Sequence, residues 1–136
     1  MARARYAFLT LVVWAAGAAA EHVDYVVENA SAIPDPLAEW TGGPEPGAAL
    51  WREAGCAECH QRGRAPALEG AGSRLTAGEI RLMIVEPRVV YPETEMPAYY
   101  TPGLAGEVEE ALVGRTRLTA LEIEQLVAFL LSGAAN

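Results

Sequence analysis

The stretch GCAECHQRG, residues 55–63, contains both cysteines of the chain and one of its two histidines. Cys56, Cys59 and His60 form a C-x-x-C-H pattern, the attachment signal of c-type haem. Two thiols one helical turn apart can each form a thioether with one haem vinyl group. The histidine beside the second thiol is then held beneath the iron as an axial ligand. The pattern therefore predicts one covalently bound haem c, with His60 as an iron ligand.

A disulfide, a zinc site and a redox pair account for the two cysteines less well. A disulfide between Cys56 and Cys59 would close a very small ring and constrain the unfolded chain little. A zinc site usually takes four Cys or His ligands, and outside this stretch only His22 remains. A thioredoxin-like redox pair is expected in a strand–helix setting, which the sequence lacks. We therefore favour haem over zinc, a redox pair or a haem-free module with a disulfide.

The second axial ligand of the iron has three candidates: His22, Met83 and Met96. Met83 lies on the apolar face of a predicted helix, which favours a core role, and His22 lies near the predicted mature N-terminus. Pro97 restricts Met96 to an extended backbone, which would help to aim its thioether inward. We therefore predict Met96 as the ligand. A His/Met pair raises the haem potential and leaves no open site for substrate, so the iron would transfer electrons.

Two weaker assignments concern the surroundings of the haem. Pro66 lies six residues after His60, where its carbonyl could accept the proton on the other histidine nitrogen and fix the ring. An ordinary turn proline is the alternative. Arg74 and Arg88 are candidates for pairing with a haem propionate, although solvated arginines would account for them equally well.

Helical patterns separated by long loops surround these residues. Residues 47–59 can form a first helix. Capping boxes of the form T-x-x-E begin two more, at Thr76 and Thr119, which end at Pro87 and Gly133. No strand or repeat is evident. We predict an all-α domain of three to four short helices with long loops, whose small core a large apolar cofactor would complete.

The N-terminal residues 1–20 are typical of a secretory signal peptide, with arginines, an apolar run and small residues before Glu21. The apolar run is shorter than the roughly 20 residues that span a bilayer. We therefore predict export to the periplasm and no membrane span in the mature protein. Residues 21–46, rich in proline, glycine and acid, are predicted to form an extended segment over a domain of residues 47–136.

The charge of the chain is strongly acidic and excludes some partners. The sequence has 10 basic residues, all arginine, against 18 acidic ones. After loss of residues 1–20, eight arginines remain and the formal charge is −10. Nucleic acids and anionic membranes are polyanions, so neither is expected to bind. A basic face on another protein would suit this surface, and solubility accounts for the charge equally well.

The order of these parts resembles a class I cytochrome c, in which a first helix runs into the CxxCH turn. A proline loop, a middle helix, a methionine in an MP pair and a C-terminal helix follow. In that fold the first and last helices cross closely, with a small residue and aromatic residues at the contact. Gly47 and Trp51 against Leu126 and Phe129 would fit that crossing.

The resemblance extends to SoxX, the monohaem subunit of the SoxAX cytochrome complex. The loop PRVVYPETEMPAYY, residues 87–100, is its most specific part, and the GLAG stretch that follows also matches. DYVVENASAIPDPL, residues 24–37, is similar to the segment before the haem domain in that family. The likeness covers roughly residues 23–133. One departure is Ala65, where the family usually has glycine before the proline that corresponds to Pro66.

The resemblance implies a place in periplasmic thiosulfate oxidation. SoxAX, an L-cysteine S-thiosulfotransferase, oxidatively joins thiosulfate to a cysteine of the carrier SoxYZ and releases electrons. The catalytic haem belongs to the SoxA subunit, so this chain would pair with a SoxA-like cytochrome, accept the electrons and pass them to a downstream c-type cytochrome. Both cysteines would be used by the haem, which leaves no thiol for sulfur chemistry. The alternative is a free periplasmic class I cytochrome c that shuttles electrons between respiratory complexes.

Overall fold

The computed structural model describes residues 22–103, 110, 113–133 and 135. The predicted signal peptide and part of the GLAG stretch lie outside these residues. The helices are α1 (Glu45–Glu53), α2 (Cys56–His60), α3 (Ala77–Val85) and α4 (Ala120–Leu131), with 3₁₀ turns over Ala71–Ser73 and Pro87–Val89. The described residues contain isolated bridges but no strand. The prediction of an all-α fold with short helices and long loops is confirmed.

The first predicted helix, residues 47–59, is two helices in the structure. Gly55 adopts φ +80°, a left-handed conformation that glycine reaches without strain, and it separates α1 from α2. The expectation of one continuous helix was therefore wrong. Helix α1 also begins two residues earlier than predicted, because Pro46 lies in its first turn, where no backbone N–H is needed.

The two predicted capping boxes are both formed. Thr76 Oγ1 accepts from Glu79 N at 3.3 Å, and Glu79 Oε2 accepts from Thr76 N at 2.7 Å. Thr119 and Glu122 repeat this arrangement at the start of α4. Helix α3 ends before Pro87 and α4 before Gly133, as their sequences predict.

Helices α1 and α4 cross at a glycine. A Cβ atom added to Gly47 would overlap the backbone of Gln125 and approach Phe129 Cβ, so only glycine lets the two helices come this close. Trp51 is 3% exposed, and its ring centroid lies 6.0 Å from that of Phe129. Leu126 is buried on the same helix. The predicted crossing is thus present, and it places α1, which precedes the cysteine turn, against the C-terminal helix.

A buried ion pair fastens the N-terminal segment to α3 and α4. Arg81 Nε and Nη2 donate to the two carboxylate oxygens of Glu124, at 2.7 and 2.8 Å, and the side chains are 4% and 6% exposed. Arg81 Nη1 donates to Ile33 O at 2.6 Å, and Glu124 accepts from Leu37 N at 2.9 Å. Sequence reasoning assigned no role to either charged residue.

The N-terminal segment, residues 22–44, has no helix but is tied down by side chains. Ile33 and Leu37 are buried in the core, and Ile33 N donates to Gly78 O at 3.0 Å. Trp40 is half-buried. Tyr100 holds the start of the segment, because its hydroxyl accepts from Val23 N at 2.8 Å. No helix of the described residues is long and apolar enough to cross a membrane.

Candidate haem-binding site

The cysteine turn is a short helix that begins where Gly55 ends the preceding one. Cys56 and Cys59 lie three residues apart on α2 and are therefore on one side of it. Both are half-buried and neither is in a disulfide. Cys56 packs against the edge of the hydrophobic core. The two sulfur atoms are thus presented from one helical turn, as attachment to two vinyl groups requires.

His60 ends α2 with one ring nitrogen already occupied. Its Nδ1 lies 2.7 Å from Pro66 O. A carbonyl oxygen can only accept, so Nδ1 carries the hydrogen, and Nε2 of the neutral ring keeps a lone pair for a metal. The loop returns to this point because Arg64 N and Ala65 N both donate to Cys59 O, at 3.1 and 3.2 Å. Ala65 therefore allows the contact despite its departure from the family pattern.

The loop that carries Met96 is fixed by hydrogen bonds on both sides of the methionine. Met96 N donates to Thr94 Oγ1 at 3.1 Å. Tyr99 N donates to Ile84 O at 3.1 Å, and Tyr99 O accepts from Leu118 N at 3.0 Å. Met96 is half-buried and packs against the hydrophobic core. The end of the loop is thereby joined to the end of α3 and the start of α4.

One tyrosine joins the methionine loop to the cysteine turn. The Tyr99 hydroxyl donates to Ala54 O at 3.2 Å, and the Cys56 side chain lies beside the same hydroxyl. Burial, followed by the nearby Cys56, raises the pKa of Tyr99 to about 12. The hydroxyl therefore keeps its proton at neutral pH. Burial also raises the pKa of the Cys56 thiol, while the neighbouring Tyr99 hydroxyl acts more weakly in the other direction.

The other two ligand candidates from the sequence have different surroundings from Met96. The His22 ring stacks on Tyr100, with centroids 4.8 Å apart. Met83 is half-buried on α3 and does not belong to the core that its helical pattern suggested.

The arginines considered for haem propionates have partners within the chain. Arg74 Nη1 donates to Glu69 O at 2.9 Å. Arg88 pairs with Glu86, with Nε 2.7 Å from Oε1.

The donor set fits a covalently attached haem. It offers two sulfur atoms on one helical turn, a histidine with one nitrogen available, and a methionine on a loop joined to that turn. The wall beside His60 includes Trp51, whose ring centroid lies 5.6 Å from the imidazole and whose buried indole N–H has no partner among the described residues. The same residues contain no group of three or more His, Cys, Asp or Glu that could hold a metal ion.

Sequence reasoning missed the role of Tyr99 at this site. The residue stood within the MPAYY motif, but its partner Ala54 lies 45 residues away. No local pattern connects the two positions. The doubled tyrosine after a candidate ligand was the only available signal, because large buried aromatic residues with a polar tip usually find a hydrogen-bond partner.

A small helical domain with a C-x-x-C-H turn and a methionine loop is typical of c-type haem proteins. The family model for cytochrome c matches residues 44–134, so the chain belongs to the cytochrome c family, whose members bind haem c covalently.

A solved structure agrees with the predicted resemblance to SoxX. A chain of the crystal structure of SoxXA from P. pantotrophus is similar to this one, with 29% sequence identity and a TM-score of 0.64. The match covers 82% of this chain and 93% of that chain. No curated protein matched. The family match and this likeness together confirm a SoxX-like cytochrome.

Proposed function

We propose that this chain binds one haem c through thioethers at Cys56 and Cys59, with His60 and Met96 as the axial ligands of its iron. The observation that carries the proposal is the geometry of α2, where Pro66 O holds His60 Nδ1 and leaves Nε2 available beside two sulfur atoms. When bound, the haem supplies a one-electron couple. The protein fixes the histidine ring, presents the methionine sulfur and covers the site with apolar side chains.

The two axial residues would determine the chemistry of the haem iron by occupying both of its axial positions. A histidine and a methionine raise the haem potential and leave no position open to oxygen or substrate. The chain would therefore accept and donate electrons without binding a substrate at the iron. Pro66 would act as the partner that orients His60, since a hydrogen bond at Nδ1 fixes both the ring and its tautomer.

We further propose that the chain works as the SoxX-like subunit of a SoxAX-type complex in the periplasm, after removal of residues 1–20. A SoxA-like subunit would join thiosulfate to a cysteine of SoxYZ, as an L-cysteine S-thiosulfotransferase, and this chain would pass the electrons to a downstream c-type cytochrome. The likeness to a chain of SoxXA supports this assignment. The isolated chain would act only in electron transfer.

The haem assignment is tested on protein secreted by its host. We expect a peroxidase-type haem stain that persists after denaturing electrophoresis, and a mass equal to the peptide from residue 21 onward plus one haem. Protein that is colourless and has the mass of the bare peptide would contradict the proposal.

The assignment to a complex is tested by expressing the chain together with its neighbouring genes. We expect it to purify with a larger haem protein and to be reduced by thiosulfate only when that partner and a SoxYZ-like carrier are present. A chain that always purifies as a lone monomer, yet carries haem, would instead be a free shuttle cytochrome. The haem proposal would then stand while the subunit proposal fell.

A further inference from the structure

The Tyr99 side chain directly links the two halves of the proposed haem site. Its hydroxyl donates to Ala54 O, the last carbonyl before the glycine that opens α2, and contacts Cys56. Tyr99 is 8% exposed, so water competes little for this hydrogen bond. The bond spans 45 residues of sequence. It therefore joins the cysteine turn to the methionine loop through the folded structure alone.

The backbone of Tyr99 is held by hydrogen bonds, so the bond made by its side chain can determine where the neighbouring residues lie relative to α2. Its backbone N–H and C=O are bound to Ile84 and Leu118, at 3.1 and 3.0 Å. Only Pro97 and Ala98 separate it from Met96. Three residues of extended chain span at most about 11 Å, and Pro97 removes much of their conformational freedom. A shift of Tyr99 relative to α2 would therefore move Met96 relative to His60.

We propose that Tyr99 is a positioning residue whose hydroxyl ties the Met96 loop to the Cys56 turn and thereby determines how firmly Met96 is held at its ligand position. This inference rests on the proposed ligation by His60 and Met96. It goes beyond that ligation, because it states that a residue that does not touch the iron determines how firmly one ligand is held. The hydrogen bond does not require a Cys56 thiol, since Ala54 O accepts it whether or not the sulfur has become a thioether.

The adjacent residue provides a matched control. Tyr100 is 1% exposed, and its hydroxyl also makes a long-range hydrogen bond, accepting from Val23 N at 2.8 Å. Its partner lies in the N-terminal segment and not in the cysteine turn. Tyr99→Phe and Tyr100→Phe each remove one oxygen from a buried ring at successive positions. A general loss of stability should follow from both changes, whereas loosening of Met96 should follow from Tyr99→Phe alone.

The experiment uses the oxidised holoprotein and imidazole, a small ligand that displaces methionine from ferric haem. The long-wavelength absorption band of a methionine sulfur on ferric iron is followed as imidazole is added. Loss of one hydrogen bond is worth about 0.5–1.5 kcal/mol. We therefore expect Tyr99→Phe to lower the half-displacing imidazole concentration by about two- to tenfold. Tyr100→Phe should stay within about twofold of the wild type.

Several outcomes would overturn the inference. A Tyr99→Phe midpoint equal to that of the wild type, or equal shifts in both variants, would show that the hydroxyl has no specific effect on Met96. A wild-type protein without the band, or a band that persists in Met96→Ala, would refute the ligand proposal and this inference with it. A wild-type band that Met96→Ala abolishes, together with an imidazole midpoint that Tyr99→Phe leaves unaltered, would refute the inference alone. Denaturant unfolding of both tyrosine variants establishes that each is folded.

Discussion

The two sides of the proposed haem site are built by contacts between residues at very different separations along the sequence. On the histidine side, Cys56, Cys59, His60 and the Pro66 carbonyl all lie within 11 residues of sequence. On the methionine side, the loop is held by bonds to α3, to the start of α4 and, through Tyr99, to a residue 45 positions away. A short segment can form the first side, whereas the second requires the complete fold.

An ion pair on the histidine side and the ion pair between α3 and α4, the helices to which the methionine loop is joined, differ in the same way. Arg62 and Glu58 are four residues apart on the histidine side, and their side chains are 69% and 53% exposed. Arg81 and Glu124 are 43 residues apart and almost fully buried. Exposed pairs contribute little to stability, whereas removing one partner of a buried pair leaves an uncompensated charge. We therefore expect the methionine side to depend on global stability and the histidine side to depend mainly on its own residues.

The largest effect is expected from changes that separate attachment from methionine ligation. Replacing both Cys56 and Cys59 by alanine should abolish all haem that survives denaturing electrophoresis, because no thioether can form. Met96→Ala should keep covalent haem at the wild-type stoichiometry and lose only the methionine band. Haem staining and the visible spectrum distinguish the two results. Loss of covalent haem in Met96→Ala would mean that the histidine side does not form independently.

A large change in stability is expected at the buried ion pair. Glu124→Gln leaves Arg81 without its counter-charge and should lower the free energy of unfolding by about 3–5 kcal/mol, measured by denaturant titration of the holoprotein. Glu58→Gln breaks the exposed pair and should cost only about 0.3–0.5 kcal/mol.

A double variant separates the charge effect from packing. Arg81→Met with Glu124→Leu removes both charges and should be more stable than Glu124→Gln alone, because no buried charge is left unpaired. Equal losses for Glu124→Gln and Glu58→Gln would contradict the contrast between the two sides.

The range of the contacts also decides what could be predicted from the sequence. The capping boxes at Thr76 and Thr119 and the cysteine turn were predicted because their partners lie within a few residues. The break at Gly55 was missed because a glycine within a helical pattern carries no sign of its backbone angle. Arg81 and Glu124 were missed because each resembles a solvated charge on a helix until the fold brings them together. Tyr99 lay in a recognised motif, but its partner did not.

A smaller effect is expected where α1 crosses α4, a second contact between the histidine side and the rest of the fold. Gly47→Ala places a methyl group against the backbone of Gln125, which cannot yield as a flexible side chain can. Overpacking of this kind costs about 1–3 kcal/mol. Gly43→Ala is the control, since its added methyl group meets only the end of the Glu45 side chain. A Gly47→Ala variant as stable as Gly43→Ala would show that the crossing is loose.

The smallest effect concerns a carboxylate on the methionine side that makes stability depend on pH. Glu86 accepts from Arg88 at 2.7 Å and from Thr101 at 2.8 Å. The Arg88 hydrogen bond is the main reason why the pKa of Glu86 lies below its ordinary value of 4.5, with burial opposing it and Thr101 assisting. A lowered pKa in the folded state means that Glu86 stabilises the fold above pH 4.5 and loses this contribution as the pH falls through the lowered value.

Glu86→Gln should therefore destabilise the holoprotein at neutral pH by no more than about 1 kcal/mol, because Arg88 is half exposed and solvent screens the pair. The difference from wild type should shrink as the pH falls below 4.5. Denaturant titrations at neutral and acid pH measure it. Glu93→Gln is the matched control, since it removes the same charge from the methionine loop and Glu93 has no hydrogen bond or ion pair among the described residues. A pH-independent difference for Glu86→Gln would mean that shape, and not charge, fixes this end of the loop.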